Sequence, residues 1–115
     1  MLTKEQIIPY LDAYVRSLED GVNNPSRTYV NVSLCHRLIA NVLLRNHYRK
    51  DEPRCIRHTF EALRFSPETI RRAVKDGFDM GVIERVEGGD RRLKIIRASQ
   101  LLVENFEETH VESTD

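Results

Sequence analysis

A chain of 115 residues with 40% hydrophobic and 31% charged side chains is long enough to close one modest core, and that balance excludes a wholly disordered polymer. No apolar run approaches the roughly 20 residues that span a bilayer, "MLTKEQ" lacks the apolar centre of a secretory signal, and two cysteines are too few for a disulfide framework. The expectation is a single cytoplasmic domain with free thiols.

The zero net charge, 18 Lys/Arg against 18 Asp/Glu, is unevenly laid out. Residues 1–44 hold four of each sign, residues 45–97 hold fourteen cations against nine acids, and residues 98–115 hold five acids and no Lys or Arg. A basic middle is offset by an acidic end, expected to be a disordered tail over 109–115.

Thr3 and Gln6 form a capping-box opening, and Ile8, Leu11, Val15 and Leu18 recur at helical spacing as far as Asp20 and Gly21. Pro9 falls inside this helix, which predicts a kink there or an effective start near Ile8. "GVNNPSR" reads as turn chemistry. From about Asn31 to His47 an apolar stripe of Cys35, Leu38, Ile39 and Val42, widened by Leu43 and Leu44, predicts a buried second helix. After "YRKDEP", the positions Ile56, Thr59, Phe60 and Leu63 predict a short third helix, separated from the next start by Arg64 and Phe65 alone.

That next start is strongly marked. Ser66 caps free N–H groups, Pro67 suits the first helical position, Glu68 faces the positive end of the helix dipole, and Phe65 with Ile70 has the spacing of a hydrophobic staple. A fourth helix over 67–80 should bury Ile70, Ala73, Val74 and Phe78, leaving Glu68, Arg71, Arg72, Lys75 and Asp79 outside. Gly77 costs about 1 kcal/mol relative to alanine in a helix interior, and Phe78 is expected to repack into the gap. Gly81 reads as a left-handed stop. "VIERVE" and "RLKIIR" flank "GGDR" as a hairpin, and "SQLLVENFEE" is a last short helix capped by Ser99 that buries Leu101, Leu102 and Phe106.

The expected fold is α+β and mostly helical: a winged helix-turn-helix with an additional N-terminal helix, a two-stranded wing and a short C-terminal helix. The divisions are 1–22, a candidate dimerisation element; 28–108, the winged-helix domain; and 109–115, the tail. Thr59-Phe60-Glu61-Ala62-Leu63, Ser66-Pro67-Glu68-Thr69-Ile70-Arg71-Arg72, Gly81-Val82-Ile83-Glu84-Arg85 and Asp90-Arg91-Arg92 together resemble the MarR-type bacterial transcriptional regulators over residues 54–98. The resemblance implies a recognition helix at 67–80 lying in the DNA major groove and a wing tip at 88–92, where Asp90 would orient Arg92 toward DNA. It also implies a homodimer.

On this reading Arg71 and Arg72 are the candidates for base contact, since arginine can bond guanine twice, and Lys75 is a phosphate contact. Thr69 and Glu68 belong to the same helix face, although capping alone accounts for Glu68. Arg91, Arg92 and Lys94 of the wing and Arg57 and Arg64 of the preceding elements add cations for the backbone. A solvated basic face is the plain alternative for the helix cluster. The functional alternative is a winged helix used as a protein-interaction module in a larger assembly, binding an acidic partner. Cys35-His36 and Cys55 with His58 lack the paired spacing of zinc sites, and no phosphate loop or nucleophile elbow is present. The expectation is therefore a non-enzyme without metal or cofactor, whose partner is double-stranded DNA.

Overall fold

The computed structural model describes residues 2–20, 24–87 and 94–110. In chain order the elements are α1 (Lys4–Asp20), α2 (Pro25–Val30), α3 (Leu34–Arg49), β1 (Arg54–Cys55), α4 (Ile56–Thr59), α5 (Pro67–Asp79), β2 (Ile83–Arg85), β3 (Ile95–Ala98) and α6 (Gln100–His110). The fold is α+β, mostly helical, with one small antiparallel sheet ordered β1-β3-β2.

Local chemistry explains most boundaries. The amide of Gln6 reaches back to the Thr3 N–H at 3.0 Å, and α1 starts at Lys4 and runs through Pro9 rather than beginning near Ile8. The "GVNNPSR" stretch holds a helix as well as a turn. Asn24 Oδ1 accepts from the N–H groups of Ser26 and Arg27 at 3.0 and 3.2 Å and Pro25 takes the first position, so α2 forms by the same rules that start α5. The chain turns at Asn31 and Val32, and Ser33 caps a fresh helix, α3, three residues later than the periodicity suggests. α3 ends with Lys50 in the left-handed region (φ 59°), its N–H on His47 O and that of Asp51 on Asn46 O. That pairing is a Schellman stop with lysine where glycine is usual, and it places a cation at the negative end of the helix.

α4 is shorter than expected. Thr59 Oγ1 donates toward the carbonyls of Arg54 and Cys55 at 3.2 and 2.7 Å, and Phe60 to Leu63 form turns anchored by buried Phe60. The gap to α5 therefore spans residues 60–66, not two residues. The α5 start matches its sequence signals, with the Ser66 hydroxyl accepting the Thr69 N–H at 3.2 Å. Gly81, at φ 76°, supplies the left-handed stop that follows it.

The sheet has a strand that the hairpin reading lacked. β2 pairs with β3 through Ile83–Ala98, Glu84–Arg97 and Arg85–Ile96, and two-residue β1 adds to the other side of β3 through Arg54–Ile96 and Cys55–Ile95. Two residues carry no detectable period, which is why β1 escapes a pattern search. The "GGDR" turn lies outside the described residues.

The core gathers Tyr29, Ile39, Leu43, Phe60, Val74, Val82, Ile96 and Leu102, each at most 2% exposed, from helices and sheet alike. Ser99 stitches the last junction: its Oγ donates to Gly81 O at 2.7 Å and accepts the Leu102 N–H at 3.2 Å. Leu102 is buried, Phe106 is half-buried, and Leu101, expected inside, is 36% exposed. α6 is tied down by Asn105, which donates to Asn24 and Ser26 at 3.0 and 2.8 Å, and by the Tyr48 hydroxyl on Glu107 at 2.9 Å. Every described side chain of α1 is exposed. Among the described residues no helix is long and apolar enough to cross a membrane.

Gly77 is buried on the inner face of α5, where Phe78 does not fill the space. A Cβ built there would lie 2.6 Å from Ile83 Cγ1, so β2 itself occupies the gap. Gly77→Ala should destabilise the fold by about 1–3 kcal/mol through overpacking, outweighing the roughly 1 kcal/mol gain in helix propensity. Urea titrations should find this penalty smaller in an Ile83→Ala background, where the clashing atoms are gone.

Candidate nucleic-acid interface

The outer face of α5 points outward because its inner face is held in two ways. Ile70, Ala73 and Val74 are buried against α3 and the sheet. Two polar ties then fix the helix along its axis: the Tyr29 hydroxyl donates to the Ala73 carbonyl at 2.8 Å, and His36 Nε2 meets the Asp76 carboxylate at 2.9 Å. The His36 ring is 8% exposed as a residue, stands edge-on to Tyr29 at 4.9 Å, and contacts Ser33 Oγ through Nδ1 at 2.6 Å. Ser33, His36 and Asp76 thus form a bonded chain. Ser33 Oγ also accepts the His36 N–H at 3.2 Å as the α3 cap, so the chain joins one helix start to the middle of another.

Sequence reasoning missed this group. His36 drew notice only as the neighbour of Cys35, and neither Tyr29 nor Asp76 was singled out. The Ser-x-x-His cap is readable locally, but Asp76 lies 40 residues away and only tertiary folding supplies it.

Of the candidate DNA-contacting residues, the structure brings four together. Arg57 from α4, Arg71 and Lys75 from α5, and Lys94 from the lead into β3 line one open cleft of about 510 Å³, with Ile56, Val74 and Phe78 as its walls and Cys55 beside them. Among the described residues no carboxylate lines it. Lys94 Nζ stands 6.0 Å from the centre of the Phe78 ring, at the limit of a cation–π contact. All four cations are exposed.

The remaining candidates lie elsewhere. Arg72 pairs with Glu68 at 3.3 Å outside the cleft, and Lys75 is also 3.9 Å from Asp79. Arg71 has no carboxylate partner among the described residues, its Nε donating to Pro67 O at 3.4 Å. Thr69 is exposed, and its hydroxyl lies 2.8 Å from that of Ser66, so it serves the cap. Arg64 is exposed in the turn before α5. Asp90, Arg91 and Arg92 lie outside the described residues.

A second basic surface went unread as a group. Arg45, Arg49, Lys50, Arg54 and Arg97 line a cleft of about 610 Å³ at the end of α3, although Asp51, Glu52 and Glu61 share it. Nine cations of the middle block therefore line one or the other of these two clefts, and of the two the second contains acids among the described residues.

The two thiols differ. Cys35 is 3% exposed and burial raises its pKa, the reverse of an activated nucleophile, whereas Cys55 is half-buried within the cationic cleft. Among the described residues no group of three or more His, Cys, Asp or Glu is placed to hold a metal ion. Comparison of the chain with protein-family models, with curated proteins and with solved structures found no match in any of the three.

Burial, helped by the nearby Cys35 and Asp76, raises the Tyr29 pKa well above its ordinary value of 10.0. The unfolded chain loses this proton near pH 10 while the folded chain keeps it, so the stabilisation is complete below about pH 10 and declines as pH rises further. Cys35 acts in the same direction from about pH 9. Urea midpoints should therefore fall on the alkaline side. Tyr29→Phe should cost about 1–2 kcal/mol at neutral pH through the lost bond to Ala73, yet show a shallower alkaline decline.

Proposed function

We propose that this chain is a winged-helix domain that binds double-stranded DNA, with α5 as the recognition helix and the segment between β2 and β3 as the wing, in the manner of a MarR-type transcriptional regulator. One observation carries the reading: Arg57, Arg71, Lys75 and Lys94, from three separate segments, converge on a cleft lined by no carboxylate of the described residues. Helix-face cations alone are ordinary solvation. Cations from distant parts of the chain on one concave surface suit a row of phosphates.

Within this arrangement Arg71, unpaired by any carboxylate among the described residues, is the side chain best placed for a guanine edge, and Lys75, Arg57 and Lys94 take phosphates. Arg72 can join them by exchanging Glu68 for phosphate, because an exposed pair of this kind is worth about 1 kcal/mol at most. The inner ties from Tyr29 and His36 hold the recognition helix at fixed depth, which is what register on a duplex requires.

A second reading is favoured by the pairing on α5 itself. Glu68–Arg72 and Lys75–Asp79 partly neutralise the outer face, as suits a module that docks on an acidic protein surface rather than on DNA.

Fluorescence anisotropy with duplex DNA across a salt series separates the two. Binding with a slope of log affinity against log salt of about −3 to −4, weakened at least about tenfold by Arg71→Ala with Lys75→Ala while circular dichroism stays unchanged, supports the DNA reading. Absence of binding by the unaltered chain at low salt transfers the proposal to the protein-docking module.

A further inference from the structure

The cleft at the end of α3 has no part in the DNA reading. Arg49 ends that helix, Lys50 follows it, and Arg54 of β1 and Arg97 of β3 line the same space of about 610 Å³, within the usual size of a small-molecule site. Cations at a helix C-terminus ordinarily serve the dipole. That accounts for Arg45, Arg49 and Lys50 but not for Arg54 and Arg97, which the pairing of β1 with β3 brings from separate segments.

Charges of both signs are left unengaged there. Arg49, Lys50 and Arg54 make no ion pair or side-chain hydrogen bond with any described residue, and neither do Asp51 and Glu52, although all five line one cleft. Arg45 and Arg49 stand one helical turn apart, the spacing at which like charges repel, and a bound anion would relieve that repulsion. Lys50 adds a separate observation. Among the described residues it is the one non-glycine at positive φ, 59°, where a Cβ is costly and glycine is usual. The helix stop needs that conformation but not the ammonium group, so the retained lysine points to a use for its charge.

We propose that this cleft binds a nucleoside di- or triphosphate, with the phosphate chain on Arg49, Lys50 and Arg54 and the ribose hydroxyls or base amino group donating to Asp51 and Glu52. The mixture of signs selects that class. Guanidinium and ammonium groups suit terminal phosphates, through charge-assisted hydrogen bonds. An inorganic oligophosphate offers no donor to the two carboxylates and is repelled by them, and a duplex would lay its continuous row of phosphates across both. A nucleotide keeps its charge at one end and its donors at the other. The inference stands apart from the DNA reading, because no residue lines both clefts.

Isothermal titration calorimetry of the full chain with ATP and with GTP tests it, in metal-free buffer at about 0.15 M salt, where loose counterion attraction is screened. The expected result is a single site with Kd below about 1 mM for at least one of the two, and binding of tripolyphosphate and of adenosine at least about fivefold weaker. Arg49→Ala with Arg54→Ala should weaken binding at least about tenfold, whereas Arg71→Ala with Lys75→Ala should leave it unchanged. All four side chains are exposed, so circular dichroism should not change. Lys50→Gly separates a ligand role from a structural one. Glycine suits φ 59° better than lysine, so the melting temperature should hold or rise while affinity falls at least about threefold. No binding of either nucleotide up to about 10 mM, tripolyphosphate binding as tightly as the nucleotide, unchanged affinity in Lys50→Gly, or loss of binding in the α5 pair but not in the Arg49 and Arg54 pair would each overturn the proposal.

Discussion

Burial of the inner face of α5 sets the position of everything that could act at its outer face. Ile70, Ala73 and Val74 provide the adhesion, and the missing side chain at Gly77 lets Ile83 of the sheet approach closer than any Cβ would allow. Interdigitated apolar contact already restricts where the helix can lie. The bonds from Tyr29 to Ala73 and from His36 to Asp76 add directional contacts, the first buried and the second half-exposed on the Asp76 side. The cations of α5 inherit their placement from these inner contacts.

Electrostatics pull the outer face in two directions. The helix spends Glu68 and Asp79 on Arg72 and Lys75, contacts that support an isolated helix by a few tenths of a kcal/mol and are readily exchanged. Among the described residues Arg71 makes no such contact, and the cleft that it shares with Arg57 and Lys94 draws on parts of the chain that no helix-level count would join. A formal charge of zero therefore says little about the local field.

α1 stands outside this logic. Its described side chains contribute nothing to the core, and its apolar positions recur at regular helical spacing. At about 25 cal/mol per Å², the exposed apolar face of α1, on the order of 600 Å², corresponds to on the order of 15 kcal/mol of unrealised burial.

What the sequence determined by itself is the set of features encoded within one turn or one pleat: the Ser66-Pro67-Glu68 start of α5, the left-handed stop at Gly81, the Ser99 cap, and the amphipathic stripes of α1, α3 and α5. These depend on neighbours three or four residues away, so spacing reveals them. The Asn24-Pro25 start of α2 was equally local and could have been read by the rules applied at Ser66. Tertiary structure alone decided the rest. It assigned two-residue β1 to the sheet, put Ile83 rather than Phe78 against Gly77, turned Leu101 outward, joined His36 to Asp76, and sorted the cations between two clefts. Each of these outcomes depends on which distant segments come to lie side by side, and periodicity within a segment carries no information about that.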